Sequence, residues 1–309
     1  MKETKLVELQ KELFSLFELE KYDDIHLLID QAQDGFPDRL EKTTFWRACA
    51  YAAQGNEQNA IAALNDGLHQ GIWWNPLALT YDRHLKNLKD IEAFKLILDE
   101  CQRILENHQH MSKPELFTYG HDQSDTGLFS LHMRGSNVET FAPYWFDDRL
   151  LGDLLLAFPQ SSQVFGYNAY CWDNPSIAVN EITESFKDFK ENFNTKQDII
   201  AGASQGGKLA IELSFNGNTL STKGFIAVIP AIQDVAALEG LLKGNTHDLK
   251  GCIITGDQDP FYKKTVEFVK LLEDNEFPCK LIVKEGLGHF FPDDFTELLR
   301  EAVEFISKP

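Results

Sequence analysis

Ser204 lies in Gly202-Ala203-Ser204-Gln205-Gly206, a GxSxG pattern placed directly after the apolar run Ile199-Ile200-Ala201 and before a helical stretch that begins near Gly206. The bare pattern recurs by chance, so its position between strand and helix carries the argument. A sharp strand-to-helix turn strains its central residue and needs small neighbours, which Gly202, Gly206 and Gly207 supply. A serine displayed in this way becomes a nucleophile when a base takes its proton and an acid holds the base in one tautomer. In such a site the chain order is Ser, then Asp or Glu, then His. Gly256-Asp257-Gln258-Asp259-Pro260 follows the run Cys252-Ile253-Ile254, and Gly286-Leu287-Gly288-His289 follows Leu281-Ile282-Val283. His289 is read as the base. Asp259, just before Pro260, is read as the acid, with Asp257 as a competing carboxylate that would otherwise brace the turn. An oxyanion formed by attack needs two convergent backbone N–H groups: Gln205, after the nucleophile, supplies one, and Met133 in Leu131-His132-Met133-Arg134-Gly135 supplies the other.

These residues converge only if their loops leave one edge of a parallel sheet. After residue 110 the chain alternates short apolar runs with amphipathic stretches, the pattern of a mainly parallel sheet covered on both faces. The runs are near 116–119, 128–131, 154–158, 199–201, 225–229, 252–254 and 281–283. Helices are expected near 138–147, 176–193, 206–214, 234–242, 261–274 and 293–306. The first 110 residues differ: apolar residues recur only at helical spacing, as in Leu6, Leu9, Leu13, Leu16 and Phe17. Breaks at Gly35-Phe36-Pro37, Gln54-Gly55-Asn56 and Gly71 through Pro76 divide this part into short helices. The segments around Lys21 and Asn56 stand in a weak tetratricopeptide-like spacing. Ala48, Ala50, Ala52, Ala60, Ala62 and Ala63 are expected where two helices approach closely. The expected division is a helical part, 1–110, and an α/β part, 111–309, joined by the polar segment Glu106 to Pro114. Two readings of the helical part stay open, a peptide-binding groove and a packing or dimerisation extension, so a protein partner or a homo-oligomer is possible there.

The chain of 309 residues carries a formal charge of −19, with acidity spread over both parts, which speaks against nucleic acid as a partner and against anionic membranes. The five cysteines are far apart, with no CxxC pair, so no zinc site or disulfide framework is indicated. No apolar stretch is long enough to insert into a membrane, and the N-terminus lacks a continuous apolar segment, so a cytoplasmic location is expected. His108 and His110 lack a third ligand nearby and are read as solvated, so no metal is expected.

Gly202 through Gly207 resembles the GFSQGG of the phospholipase/carboxylesterase group of the α/β-hydrolase superfamily, which includes acyl-protein thioesterases and has dienelactone hydrolases as near relatives. Leu131 through Gly135 is similar to its LHGxG, with Met133 in place of the first glycine; the segments ending at Pro260 and His289 are similar to its GxxDxxVP and GxGH. The resemblance spans about residues 114–307. It implies an α/β-hydrolase fold and hydrolysis of a small-molecule ester or thioester without metal or organic cofactor. The helical part and Met133 depart from the pattern, and Met133 implies a different substrate pocket. Arg134 is weighed as a substrate contact against a loop brace. Tyr167, Tyr170 and Trp172, in an aromatic-rich loop, are weighed as pocket wall against loop packing. The same residue set also fits a serine peptidase or amidase, or an interaction protein with a vestigial hydrolase part.

Overall fold

The computed structural model describes residues 2–242 and 249–308, and the chain divides into two units, Met1–Met111 and Ser112–Pro309. In the first unit, α1 (Lys2–Glu18), α2 (Tyr22–Gly35), α3 (Leu40–Ala53) and α4 (Glu57–His69) follow one another across short turns, each packing on the next. Two more helices, α5 (Pro76–Tyr81) and α6 (Glu92–Met111), complete the unit. Helical periodicity sets the buried faces: α2 buries Ile25, Leu28, Ile29 and Ala32, and α6 buries Phe94, Ile97 and Cys101. Local chemistry sets the ends. The Asn56 side chain accepts from the Asn59 amide at 3.2 Å, capping α4.

Tight helix contact at α3 and α4 depends on small residues, although not all of the expected ones. Ala48, Ala50, Ala52 and Ala60 are buried, Ala63 is partly so, and Ala62 faces solvent because the buried stripe of α4 runs through Ala60, Leu64 and Gly67. Trp74 closes this region, donating from Nε1 to the Glu41 carbonyl at 2.8 Å. A Cβ on Gly67 would stand 2.5 Å from its ring. The polar join proves shorter than expected. With no helix breaker before Pro114, α6 continues to Met111 and carries His108 and His110 in its last turn, where His108 stacks on Trp73.

The second unit is built on a seven-stranded sheet of order β1-β3-β2-β6-β7-β8-β9. Its strands are β1 (Glu115–Gly120), β2 (Thr126–Leu131), β3 (Leu155–Gln160), β6 (Gln197–Ala203), β7 (Gly224–Val228), β8 (Lys250–Gly256) and β9 (Cys279–Lys284). Only β1 runs antiparallel to its neighbour. A small separate ribbon, β4 (Val164–Gly166) and β5 (Ala169–Tyr170), follows β3. Alternation along the strands feeds two cores. Phe129, Leu155, Ile200, Phe225 and Ile253 face one side, with α9 (Pro175–Asn192), α10 (Gln205–Phe215), α11 (Val235–Glu239) and α12 (Tyr262–Asp274). Leu128, Leu156, Ile199, Ile226 and Ile254 face the other, with α7 (Val138–Phe141), α8 (Asp148–Asp153) and α13 (Phe295–Ser307). The single helix expected near 138–147 is broken: Pro143 has no N–H to continue the ladder, so a 3₁₀ turn follows α7, and Asp147 caps α8 by accepting from the Leu150 amide at 2.8 Å.

This strand order matters for chemistry. From β2 the chain goes outward to β3 and then returns across β2 to β6, so the loops after β2 and β6 diverge at neighbouring strand ends. In an open α/β sheet such a crevice is where ligands bind.

Candidate active site

Ser204 occupies the turn between β6 and α10 at φ 52°, ψ −114°, a left-handed conformation costly for a residue with a Cβ. Its backbone is over-determined. The Ser204 amide donates to the Val228 carbonyl at 2.9 Å, and its carbonyl accepts from Lys208 and Ala231, each at 3.0 Å. The turn closes only because side chains are missing: a Cβ on Gly202 would lie 2.4 Å from the Gly206 backbone, and one on Gly206 would lie 2.2 Å from the Leu131 carbonyl oxygen.

The loops after β8 and β9 meet beside this serine. Gln258 donates its amide to the Leu287 carbonyl at 3.1 Å, and the Asp257 carboxylate accepts from the Gly286 amide at 2.8 Å. Asp257 therefore ties the two loops together, and Asp259 turns inward. One Asp259 oxygen accepts from the Phe261 amide at 2.7 Å, and the other is 2.7 Å from His289 Nδ1. His289 Nε2 is 2.8 Å from Ser204 Oγ. A carboxylate can only accept, so the imidazole proton sits on Nδ1 and Nε2 is left to receive the serine proton. The Asp259 side chain is fully buried while that of His289 keeps 29% exposure, so the acid is shielded and the base stays accessible. Phe261 packs edge-on to the imidazole, with ring centroids 5.2 Å apart.

The two residues expected to offer N–H donors lie on adjoining segments, since a Cβ on Gly206 would come 2.7 Å from the His132 carbonyl oxygen. Gln205 is the first residue of α10, where amides have no intrahelical acceptor and the helix dipole is positive. Met133 lies in the loop after β2, anchored by His132. That imidazole is fully buried, and burial pushes its pKa down to about 4. As a neutral ring it donates from Nδ1 to the Met133 carbonyl at 2.9 Å and accepts at Nε2 from the Ser161 amide at 3.3 Å. The Ser136 hydroxyl and amide also donate to the Met133 carbonyl, at 3.2 and 3.3 Å.

The four residues weighed as pocket groups fall in different places. Arg134 makes a two-pronged pair with Asp173 (Nε to Oδ1 2.8 Å, Nη2 to Oδ2 2.7 Å) and lies 4.3 Å over the Phe165 ring. That pairing, followed by a hydrogen bond from Gln205, holds the Asp173 carboxyl below the usual range. Tyr167 is exposed. Tyr170 is half-buried, and its backbone pairs with the β2 loop: Gly135 donates to its carbonyl at 2.8 Å, and its own amide donates to Ser136 at 2.9 Å. Trp172 is 97% buried, with its ring tilted over His132 at 4.7 Å and Nε1 donating to the His132 carbonyl at 3.0 Å, so it packs beneath the loop instead of forming its outer wall. Sequence reasoning missed Asp173 and the anchoring by His132; the available signal was an acid beside a tryptophan in the loop after β3.

One group of metal-ligand types comes together among the described residues: Cys49, Asp82 and His84, in the helical unit. It is satisfied without a metal. Asp82 Oδ1 accepts from Cys49 Sγ at 3.6 Å and from the His84 amide at 2.8 Å, and Arg83 Nε donates to His84 Nε2 at 3.2 Å, placing a cation where a metal-bound imidazole needs an acceptor. The cysteines are all free thiols; burial pushes Cys171 up to about 11. No helix among the described residues is long and apolar enough to cross a membrane.

Comparison with solved structures identifies the architecture. An uncharacterized protein from Bacillus cereus ATCC 10987 matches over 98% of this chain and 99% of its own, at 25% identity and a TM-score of 0.56. Esterase PE8 matches over 62% of this chain and 99% of its own (19% identity, TM-score 0.50). Zea mays acyl-protein thioesterase 2 matches over 63% of this chain and 100% of its own (12% identity, TM-score 0.50). No family model matches the sequence, and no curated protein does. The chain has an α/β-hydrolase fold, preceded by a helical region.

Proposed function

We propose that the protein is a serine hydrolase that cleaves a small carboxylic ester or thioester through an acyl-enzyme. The observation that carries this reading is the unbroken run of hydrogen bonds from Asp259 through His289 to Ser204, on a strained turn. The names of the structural neighbours, an esterase and an acyl-protein thioesterase, agree with it.

In the first step Ser204 Oγ forms a bond to the substrate carbonyl carbon as its proton passes to His289 Nε2. The carbonyl π pair moves onto oxygen, and that oxyanion is met by the amides of Gln205 and Met133. Asp259 stabilises the imidazolium through Nδ1. Collapse of the intermediate breaks the bond to the alcohol or thiol, which leaves with the proton from Nε2. Water then repeats the sequence on the acyl-enzyme, giving up its proton to the same nitrogen and releasing the acid and free Ser204. The test is labelling by a fluorophosphonate probe together with a panel of esters, thioesters and aminoacyl amides. Labelling at Ser204 with ester or thioester turnover is the expected result; preference for the amides would make the protein a peptidase or amidase, and absence of labelling would overturn the reading.

A further inference from the structure

We propose that Trp172 and Asp173 are positioning residues that fix the separation and direction of the two oxyanion donors, Met133 and Gln205; this rests on the serine hydrolase reading. The dipeptide touches both donor-bearing residues at once. Trp172 Nε1 donates to the His132 carbonyl at 3.0 Å, and that carbonyl belongs to the same peptide plane as the Met133 N–H. In a trans peptide C=O and N–H point in opposite directions, so a tryptophan holding the oxygen from beneath aims the Met133 N–H the other way. The Trp172 amide donates to Gln205 Oε1 at 2.9 Å, and Gln205 Nε2 donates to Asp173 Oδ1 at 2.9 Å. The loop is closed by Arg134, the neighbour of Met133, through its two bonds to Asp173.

Residue types fit these roles closely. Gln205 uses both ends of its amide, accepting from a backbone N–H and donating to a carboxylate; a glutamate there would set a second negative charge against Asp173. The arrangement forms a ring, His132–Met133–Arg134–Asp173–Gln205–Trp172, which closes through the Trp172 bonds to Gln205 and to the His132 carbonyl. None of these side chains touches the Asp259–His289–Ser204 run in any hydrogen bond described above, so the strut acts on the donors and not on the nucleophile. Preorganised donors matter because they act only where charge develops, so loosening them costs transition-state binding and leaves ground-state binding alone.

Two small changes test this. Trp172→Phe keeps an aromatic ring and removes the Nε1 donor; Asp173→Ala removes the acceptor for Gln205 and Arg134. Each is expected to lower kcat for a p-nitrophenyl ester by about 10- to 100-fold with KM within about threefold, as loss of part of an oxyanion hole does. Affinity for a boronic acid, which forms a tetrahedral adduct on Ser204, should fall by the same factor. Asp173→Asn, which keeps an acceptor for Gln205, should recover part of the loss. A fall in kcat with unchanged boronate affinity, or unchanged kinetics in both variants while the wild type is labelled at Ser204, would overturn the strut alone. A wild type that no fluorophosphonate labels at Ser204 overturns the hydrolase reading and the strut with it.

Discussion

The two sides of the candidate site are built by different means. On one side the proposed chemistry resides in side chains: Ser204 directly after β6, and His289 and Asp259 in the loops after β9 and β8, find one another at 2.7 and 2.8 Å. On the other side the proposed groups are backbone amides, held under this proposal by hydrogen bonds from a loop about 40 residues beyond Met133, as in the 3.0 Å bond from Trp172 to His132. The first side depends on residue identity. The second depends on geometry, and several side chains could occupy position 133 without changing its N–H.

The largest expected effect tests the first side. Ser204→Ala should lower kcat by more than about 10⁴-fold, because removal of the nucleophile leaves only binding and oxyanion stabilisation. Ser204→Gly should be equally inactive yet more stable than Ser204→Ala, since glycine accepts φ 52° without the strain that a Cβ meets there. Turnover of esters and thermal melting of both variants check the pair. Equal melting temperatures would mean that the turn stores no strain. Asp259→Asn, which preserves shape and removes the charge that fixes the tautomer, should cost about 10⁴-fold in kcat.

The same contrast explains what could be read in advance. The seven principal strands appear where short apolar runs predicted them: the five inner ones are buried on both faces and so continuously apolar, while the edge strands β1 and β9 are only partly covered. Ser204, Asp259 and His289 were singled out because the proposed chemistry demands particular residue types beyond strand ends, with Asp259 preferred to Asp257 for its place before Pro260; the structure adds that Asp257 accepts from the Gly286 amide while Asp259 meets His289. Trp172 was left open between pocket wall and loop packing since an aromatic residue in a loop carries no sign of which way its ring faces. Asp173 was passed over because a lone acid in a loop looks like ordinary surface, and its pairing with Arg134, 39 residues earlier, shows only in the folded chain. The break of the helix expected near 138–147 had a signal in Pro143, overridden by the surrounding periodicity.

An intermediate effect tests the anchor of the second side through stability. His132 has a native pKa of about 4, below that of a free imidazole. Between those values the unfolded chain binds a proton that the native chain does not, so stability falls as pH falls from about 6.5 to about 4, by roughly 3 kcal/mol at full effect. Above that window the ring is neutral in both states and the contribution vanishes. His132→Gln should therefore flatten this part of the stability curve relative to the wild type in denaturant melts. Parallel curves would show that the ring titrates without being held neutral by the fold.

The smallest effect on kcat is expected where the side chain matters least, at Met133. Its amide is the proposed donor, and its carbonyl is tied to His132 and Ser136 by backbone geometry that alanine can also adopt. Met133→Ala should thus keep kcat for a short ester within about threefold, in contrast to loss of an oxyanion donor, which costs about 10²- to 10³-fold. What should change is selectivity. The half-buried methionine takes up space beside the donors, and each methylene removed from an apolar pocket is worth about 1–3 kcal/mol of discrimination, so preference should move toward bulkier acyl groups. A large fall in kcat with unchanged acyl preference would place the importance of position 133 in its side chain and erase the distinction between the two sides of the site.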